Sequence, residues 1–418
     1  MRRSGCWKKS IRVLTSRLGN KGEAMMDFIA QAEAQKSSLV SLRREFHSHP
    51  ERSRQEWETA KRIERELDRL GVSHRRVGET GVYASFRGAL EGERVIALRA
   101  DIDALPVEDQ KTVAYRSQVP GVMHACGHDA HTTALLGGAR LLVENRSRFG
   151  GEVRLLFQQA EEIGYGARVF LREGLLEGAQ RVFGLHTASD LPVGKIGVRS
   201  GPNNASVDHF KITVEGRGAH VSTPQLGADA LYIASQIVVG FQGIVTRLTS
   251  PTDPVILGVG TLHAGEGYNV VARQAVLEGT VRAFSPEARR LIREKADELA
   301  RQMASLHGGA ASSEWEDYTS PLINDPEICR EVCRTAGRLA GEKNVVTDRP
   351  LSLGGDDFAE LQLRVPGVYA YIGTRNPALP DTTVAHHNGR FDIDEDCLPL
   401  AAGLYAACAF DYLTGDAG

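Results

Sequence analysis

The sequence lacks a strong charge of either sign and lacks a long apolar run. Its 418 residues contain 50 Lys and Arg against 53 Asp and Glu, which gives a formal net charge of −3. A nucleic-acid-binding protein needs a basic excess to neutralise phosphates, so this balance argues against that class. No apolar run approaches the roughly 18 residues that a membrane-spanning helix needs. We therefore expect neither a nucleic acid nor a membrane as a partner.

Cysteine and aromatic residues are also scarce, with six cysteines and an aromatic share of 6%. Six cysteines scattered over a long chain do not form the disulfide framework of a small secreted protein. We expect reduced thiols in a cytosolic protein. Glycine, with 44 residues, is abundant, and 42% of the residues are hydrophobic. This composition is typical of an α/β enzyme with many tight loops, and the length corresponds to two or three domains, or to one large domain carrying an insertion.

The first 25 residues differ from the rest of the chain. They contain seven Lys or Arg and one acidic residue, Glu23, and they lack the apolar core of a secretory signal. We interpret residues 1–25 as a disordered basic arm or as the product of a start codon placed upstream of Met26. An organellar transit peptide is a third interpretation, because such peptides are rich in Arg and Ser and poor in acid.

The remaining chain alternates between strand and helix patterns. Apolar residues three and four apart predict helices between residues 26 and 70, and again at 131–144 and 167–176. Short apolar runs predict strands at 82–86, 94–98, 153–157, 182–185 and 368–372. Buried strands that alternate with helices predict a mostly parallel sheet with helices on both faces.

A smaller unit interrupts this pattern. Residues 207–318 read as strand, helix, strand, strand, helix and strand, which is the order of a ferredoxin-like unit. We predict an inserted α+β domain over residues 205–317. The catalytic α/β domain is then divided into two parts, residues 26–204 and residues 318–418.

Acidic and imidazole side chains come directly after three predicted strands: Asp101 and Asp103, Glu161 and Glu162, and His186. In open α/β sheets, binding sites form beyond the carboxyl ends of the strands. Taken singly, a His after a strand is usually a surface or core residue, and a Glu pair is usually part of a solvated loop. Their shared location at one sheet edge favours a functional site.

The segment 124–131, HACGHDAH, enters a predicted helix at the same edge. His, Cys and Glu together suit Zn²⁺, Mn²⁺, Co²⁺ or Ni²⁺. Cys126 and His128 lack the paired CxxC knuckles of a structural zinc site, so an open, catalytic site with one or two metal ions is favoured. Of the adjacent Glu161 and Glu162, one can bind metal while the other acts as general base on an activated water.

These residues belong to motifs that resemble the metal-dependent aminoacylase/carboxypeptidase family. The resemblance is to the branch that contains hippurate hydrolases, N-acetyl-amino-acid and N-acetyldiaminopimelate deacetylases and indole-acetate–amino-acid hydrolases, and it covers about residues 39–413. The motifs are RREFHSHPE (43–51), LRADIDALPV (98–107), HACGHDAHTTALLGGA (124–139), LLFQQAEEIGYGA (155–167), GRGAHVSTP (216–224), GEGYNVVA (265–272), GGDDFAEL (354–361) and HHNGRFDIDEDCL (386–398). Eight motifs in order make the resemblance specific.

The resemblance implies a two-metal catalytic domain and an inserted lid domain that dimerises. It implies two divalent ions per subunit, Mn, Zn, Co or Ni, and it makes Glu161 the general base. The implied metal ligands are Cys126, His128, Glu162, His186 and His387. The adjacent His386 remains an alternative for the last ligand.

The resemblance also implies roles around the metals. Asp101 and Asp103 would orient the ligating His rings. His220 would stabilise the developing oxyanion, and Asn269 would bind the polar end of the substrate. The chain departs from the family pattern at four positions on the substrate side, namely Gln225, Ala272, Asp356 and Gly389. These departures leave the identity of the substrate open.

The sequence thus predicts a cytosolic, metal-dependent amidohydrolase that forms a homodimer or a higher homo-oligomer through the inserted lid domain. Its expected substrate is a small N-acyl amino acid, which it would cleave to a carboxylic acid and a free amino acid. A dipeptidase or carboxypeptidase on the same scaffold is the first alternative. A non-catalytic metal-binding or small-molecule-binding protein is the second.

Overall fold

A computed structural model describes residues 28–415 of the chain. The interpretations of residues 1–25 as a basic arm, a misplaced start or a transit peptide lie outside the described residues. The chain divides into two compact units. The first unit comprises the described residues up to Ser200, with Asn324–Arg349 and the residues from Leu361 onward. The second unit comprises Gly201–Ile323 and Pro350–Glu360.

Helices and strands alternate along the described chain, and a helical stretch at 28–34 precedes the first named helix. The helices are α1 (Lys36–Ser48), α2 (Trp57–Arg69), α3 (His128–Glu144), α4 (Gly166–Arg172), α5 (Ala230–Arg247), α6 (Pro286–Leu306), α7 (Pro326–Ala340), α8 (Phe358–Gln362) and α9 (Cys397–Thr414). The strands are β1 (Ser73–Val77), β2 (Gly81–Arg87), β3 (Leu90–Asp101), β4 (Gly150–Gln158), β5 (Arg181–Pro192), β6 (Ile196–Gly197), β7 (Gly201–Asn204), β8 (Val207–Glu215), β9 (Val255–Ala264), β10 (Gln274–Ala283), β11 (Ala310–Thr319), β12 (Leu322–Asn324), β13 (Val345–Val346) and β14 (Gly367–Arg375).

The first unit contains an eight-stranded sheet in the order β1-β2-β4-β3-β5-β14-β6-β13. Its central strands β4, β3, β5 and β14 run parallel to their neighbours in this group. Strand β14 is buried at every residue except its last, as expected for a parallel strand covered on both faces. The predicted α/β fold with a mainly parallel sheet is confirmed. At one edge of the sheet, β1 and β2 pair antiparallel with each other, and β2 pairs antiparallel with β4.

Helices α3 and α9 pack closely against each other in the core of the first unit. A Cβ added at Gly138 would lie 2.8 Å from the Cβ of Tyr405 and 3.0 Å from the carbonyl oxygen of Ala402. Helix α9 is long and apolar enough to cross a membrane by length and composition, but 83% of it is buried inside the protein. Its place in the core accounts for its apolar composition.

A buried ion network joins three distant parts of the first unit. The Arg43 guanidinium, on α1, donates to Asp129 at 2.8 Å and to Asp392 at 2.8 Å. The Nδ1 atom of His47 lies 2.7 Å from the same Asp129 carboxylate. Because Asp129 is the second residue of α3, the network fixes the start of that helix. It also explains the RREFHSHPE motif, in which Arg43 and His47 are buried structural residues.

The second unit contains the predicted order of strand, helix, strand, strand, helix and strand. Its four-stranded sheet has the order β11-β8-β10-β9, and every neighbouring pair is antiparallel. Helix α5 begins after Asp229, whose carboxylate caps the helix, and α6 begins after Ser285 with Pro286 in its first turn. The strand order is that of a ferredoxin-like unit, which confirms this part of the predicted fold class.

Several predicted boundaries differ from the structure. The helix predicted at 167–176 ends at Arg172, because Gly174 adopts a left-handed conformation with φ +71°. The strand predicted at 182–185 extends to Pro192, beyond its apolar run. The boundaries 205–317 for an inserted domain stay a prediction, since the compact second unit also includes Pro350–Glu360.

We expect Gly138→Ala to destabilise the first unit, because the added methyl group would push α3 away from α9. Overpacking of this kind costs about 1–3 kcal/mol of unfolding free energy. Gly337→Ala in α7 is the matched control, since the nearest atom to its added Cβ is Glu342 Cγ at 3.4 Å. Replacing this helical glycine with alanine should raise the free energy of unfolding by about 0.5–1 kcal/mol. Urea denaturation measures both, and equal stability of the two variants would contradict the close packing.

Candidate metal centre

The carboxyl edge of the parallel sheet carries most of the predicted site residues of the first unit. Asp101 is the last residue of β3, and Glu161 and Glu162 lie just beyond the end of β4. His186 lies inside β5, whereas the sequence predicted it directly after a strand. The strand continues because β14 pairs with it in parallel through this region, which the polar residues after Leu185 do not indicate.

A glycine turn at the start of α3 brings Cys126 and His128 to the same edge. Gly127 has φ +88°, and a Cβ at this residue would lie 2.4 Å from Oγ1 of Thr187. The Thr187 hydroxyl donates to the carbonyl oxygen of Cys126 at 3.2 Å. Both the backbone angle and the close approach therefore require glycine between the two predicted ligands.

The structure brings six predicted residues together: Cys126, His128, Glu161, Glu162, His186 and His387. Their donor atoms form three overlapping groups, and the atoms within each group lie within 4.8 Å of one another. The groups are Cys126, His128 and His186; Cys126, Glu162 and His387; and His128, Glu161 and Glu162. The Cys126 sulfur and Nε2 of His186 are 3.4 Å apart.

Hydrogen bonds orient two of the imidazole rings toward this cluster. The His128 Nδ1–H group donates to Asp103 at 3.2 Å, because a carboxylate can only accept. The His186 Nδ1–H group donates to the carbonyl oxygen of Thr187 at 2.7 Å. Each ring is therefore left with Nε2 as its ligating atom, the usual arrangement for His bound to metal.

The cluster contains buried polar atoms that a cation would satisfy. Within the described part of the chain, Nε2 of His128 and Oε1 of Glu162 are buried and make no hydrogen bond. Buried polar atoms are almost always hydrogen-bonded, so this imidazole nitrogen and carboxylate oxygen, which lie 3.7 Å apart without a hydrogen bond, need an explanation. Nitrogen, sulfur and carboxylate donors together fit a divalent transition metal.

The pKa values in the cluster also indicate a deficit of positive charge. Burial raises the pKa of Glu162 to about 7. Burial alone would lower the pKa of His128, but the carboxylates of Asp101 and Asp103 outweigh it and raise the pKa to about 10. Burial and the carboxylate of Glu162 raise the pKa of the Cys126 thiol well above its usual value. A cation bound here would replace the protons that these groups otherwise retain.

His131 is a supporting residue whose role the sequence did not assign. Its Nδ1 atom lies 2.6 Å from Asp101, and its Nε2 atom accepts from the Thr187 backbone N–H at 2.8 Å. Both ring nitrogens are thus used within the protein. The signal was present in the sequence, because His128 and His131 are three residues apart and share one face of α3.

The two adjacent C-terminal histidines have different surroundings. His387 adopts a left-handed conformation with φ +63°, and its backbone N–H donates to the carbonyl oxygen of Ala125 at 2.8 Å. Its Nε2 atom lies 3.6 Å from Glu162. The ring of His386 packs instead against Phe391 and His186. This geometry favours His387 as the donor.

The two predicted substrate residues lie in the second unit, on neighbouring segments. The Val221 N–H group, next to His220, donates to the carbonyl oxygen of Asn269 at 3.1 Å. Nδ1 of His220 accepts from the backbone N–H of Ser222 at 3.1 Å, so the proton of the neutral ring is on Nε2. Both His220 and Asn269 are exposed.

Comparisons with known proteins agree with this architecture. Residues 97–411 match the family described as "Peptidase family M20/M25/M40". An N-acetylcysteine deacetylase of Bacillus subtilis is 40% identical over 89% of this chain and 96% of its own length. Thermostable carboxypeptidase 1 of Saccharolobus solfataricus is 37% identical over 90% of this chain and 95% of its own length.

A solved structure extends the comparison to three dimensions. It is that of a Bacillus subtilis protein described as a dinuclear metal binding peptidase from the M20 family. The TM-score is 0.80 at 37% identity, with 91% of this chain and 99% of that chain covered. The family resemblance read from the motifs is confirmed. The chain belongs to Peptidase family M20/M25/M40 and is a metal-dependent hydrolase of amide bonds.

Proposed function

We propose that the protein hydrolyses the amide bond of small N-acyl amino acids with the help of two divalent metal ions. The observation that carries this proposal is the convergence of six donor side chains into three overlapping groups. The names of the relatives support it, since one is an N-acetylcysteine deacetylase and a related structure is described as binding two metals.

We assign the metal ligands as Cys126, His128, Glu162, His186 and His387. Cys126 belongs both to the group with His128 and His186 and to the group with Glu162 and His387. Cys126 would therefore supply a thiolate donor to both groups. This assignment leaves Glu161 as the one carboxylate among the six donors that is not a ligand. Mn²⁺, Zn²⁺, Co²⁺ and Ni²⁺ all accept such a donor set, so the metal supply decides among them.

The bound ions would polarise the substrate carbonyl and make a water molecule more acidic. Glu161 takes the proton of the attacking water and delivers it to the nitrogen of the departing amine. The carbonyl carbon gains an oxygen and loses the C–N bond, so the products are a carboxylic acid and a free amino acid. Asp101 and Asp103 keep the imidazole rings in place throughout.

We expect Glu161→Gln to lower kcat by about 10²- to 10⁴-fold, because glutamine cannot accept the proton of the attacking water. The metal content should stay unchanged, since Glu161 is not a proposed ligand. Steady-state kinetics and elemental analysis of the same preparation measure the two effects. The control is Glu79→Gln, an exposed residue paired with Arg54, which should retain full activity. A fully active Glu161→Gln variant would rule out Glu161 as the base.

For the second unit, we propose that His220 stabilises the negative charge that develops on the substrate oxygen. The ring is suited to this role because its Nδ1 atom accepts from Ser222, which leaves an Nε2–H donor. We further propose that Asn269, on the neighbouring segment, binds the polar end of the substrate.

Replacing His220 with alanine should lower kcat by about 10²- to 10³-fold, the usual cost of losing an oxyanion donor. Metal content should not change. His209→Ala provides a control, because that ring pairs with Glu316 on the sheet of the second unit. An unaltered kcat in His220→Ala would show that the residue takes no part in the mechanism.

A carboxypeptidase is the second candidate function, because one relative is named a thermostable carboxypeptidase. The two candidates differ in substrate. An amidohydrolase of N-acyl amino acids should act on N-acetyl and N-benzoyl amino acids. A dipeptidase should act on free dipeptides instead, and a carboxypeptidase on longer peptides.

We expect protein stripped of metal to be inactive and to regain hydrolysis of N-acyl amino acids when a suitable divalent ion is added. The measurement is release of free amino acid from a mixed panel of N-acyl amino acids and dipeptides, repeated with Mn²⁺, Zn²⁺, Co²⁺ and Ni²⁺. Activity restricted to dipeptides would favour the peptidase. Inactivity with every ion, while metal is bound, would contradict both.

We propose a cytoplasmic location, and a homodimer or higher homo-oligomer formed through the second unit. Free thiols at the described cysteines, for example Cys329 and Cys408, fit a reducing compartment. Helix α5 exposes Leu231, Tyr232 and Val239, with Val239 67% exposed. Exposed apolar side chains on one helix are typical of an association surface.

A further inference from the structure

We propose that Glu56 is a positioning residue that holds the general base in place, an inference that rests on the role proposed for Glu161. Glu56 lies immediately before α2, far from the cluster in sequence. It is fully buried, and its carboxylate bonds to Thr80 and to the backbone of Ala160, neither of which is a proposed ligand. Its effect would pass through the backbone of the loop that carries Glu161 and Glu162.

The Glu56 carboxylate joins three segments of the first unit. One oxygen accepts from the Thr80 hydroxyl at 2.6 Å. The other oxygen accepts from the backbone N–H of Ala160 at 2.9 Å. The side chain therefore anchors the residue directly before Glu161 to the start of α2 and to the turn that precedes β2.

Ala160 has a backbone conformation that needs such an anchor. It is buried and has φ +53°, in the left-handed region that residues with a Cβ rarely adopt. A conformation of this kind persists only when its surroundings enforce it, and it is often found at functional sites. The carbonyl oxygen of Ala160 accepts from the N–H groups of Tyr165 and Gly166, which closes the loop on its other side.

The next anchor along the loop belongs to a different carboxylate. The backbone N–H of Glu162 donates to Asp103 at 3.1 Å, and Ser53 donates to the same oxygen of Asp103 at 2.7 Å. Glu161 therefore lies between two fixed amides, one held by Glu56 and one held by Asp103. Loss of Glu56 releases the amide before the base and leaves the amide of the proposed ligand Glu162 fixed.

This arrangement predicts a selective effect on the chemical step. Small displacements of a catalytic group, of the order of 1 Å, can lower a rate by about 100-fold. A glutamine at position 56 preserves both contacts, because its amide oxygen can accept from Ala160 and its NH₂ group can donate to the Thr80 hydroxyl. An aspartate keeps the carboxyl group but is one methylene shorter and cannot reach both partners.

The test compares Glu56→Ala, Glu56→Asp and Glu56→Gln in the metal-loaded enzyme. We expect kcat to fall about 10- to 100-fold in the first two variants, with KM and metal content near wild type. Glu56→Gln should retain most of the activity. Glu79→Ala is the matched control for removal of a nearby exposed carboxylate and should be fully active. Thermal melting establishes that each variant is folded.

Wild-type kcat in Glu56→Ala would overturn the proposal, and so would equal losses in the Gln and Ala variants, because a hydrogen-bonding role requires rescue by Gln. If Glu56→Ala does not fold, the comparison of Glu56→Asp with Glu56→Gln decides. Glu161→Gln is measured alongside. An active Glu161→Gln would show that the assignment of the base is wrong, whereas an inactive Glu161→Gln with an active Glu56→Ala would show that only the positioning role is wrong.

Discussion

The Asp103 carboxylate is the interaction on which the arrangement of the first unit's cluster depends. One oxygen accepts from the His128 ring, and the other accepts from the Glu162 backbone and from the Ser53 hydroxyl. A single buried side chain thus orients a histidine of α3, fixes the acidic loop after β4 and joins both to the turn before α2. Burial alone would raise the pKa of Asp103, but His128 and Ser53 keep it below its usual value, so the carboxylate stays charged.

A second layer of buried charge supports this arrangement at the start of α3. Arg43 pairs with Asp129, the residue directly after His128, and with Asp392 in the C-terminal motif. Removing one partner of such a buried pair is strongly destabilising, because the remaining charge has no water to solvate it. The motifs at 43–51, 124–139 and 386–398 are therefore parts of one structural unit. The second and third of these motifs carry proposed metal ligands. The first carries Arg43, which is the counter-charge of Asp129 and Asp392 in the other two.

The sequence predicted the features that repeat or cluster along the chain. The order of elements in the second unit follows from apolar spacing, and the grouping of Cys126, His128, Glu161 and Glu162 follows from their position at strand ends and at the start of a helix. The strand continuation around His186 was missed, since pairing with β14 decides it. Glu56 reads only as a polar residue before a helix. The left-handed angle at Ala160 has no sequence signal, because alanine ordinarily avoids that conformation and only its surroundings impose it.

The donor atoms of the cluster come from segments as far apart in the chain as Cys126 and His387. A chain that has not brought β4, β5, α3 and the C-terminal segment together offers no complete set of donors. Any ion held by all of them binds the native state alone, and its binding free energy is added to the free energy of unfolding by thermodynamic linkage. The availability of metal in the cell would then set how long a molecule of this protein survives as well as how fast it works.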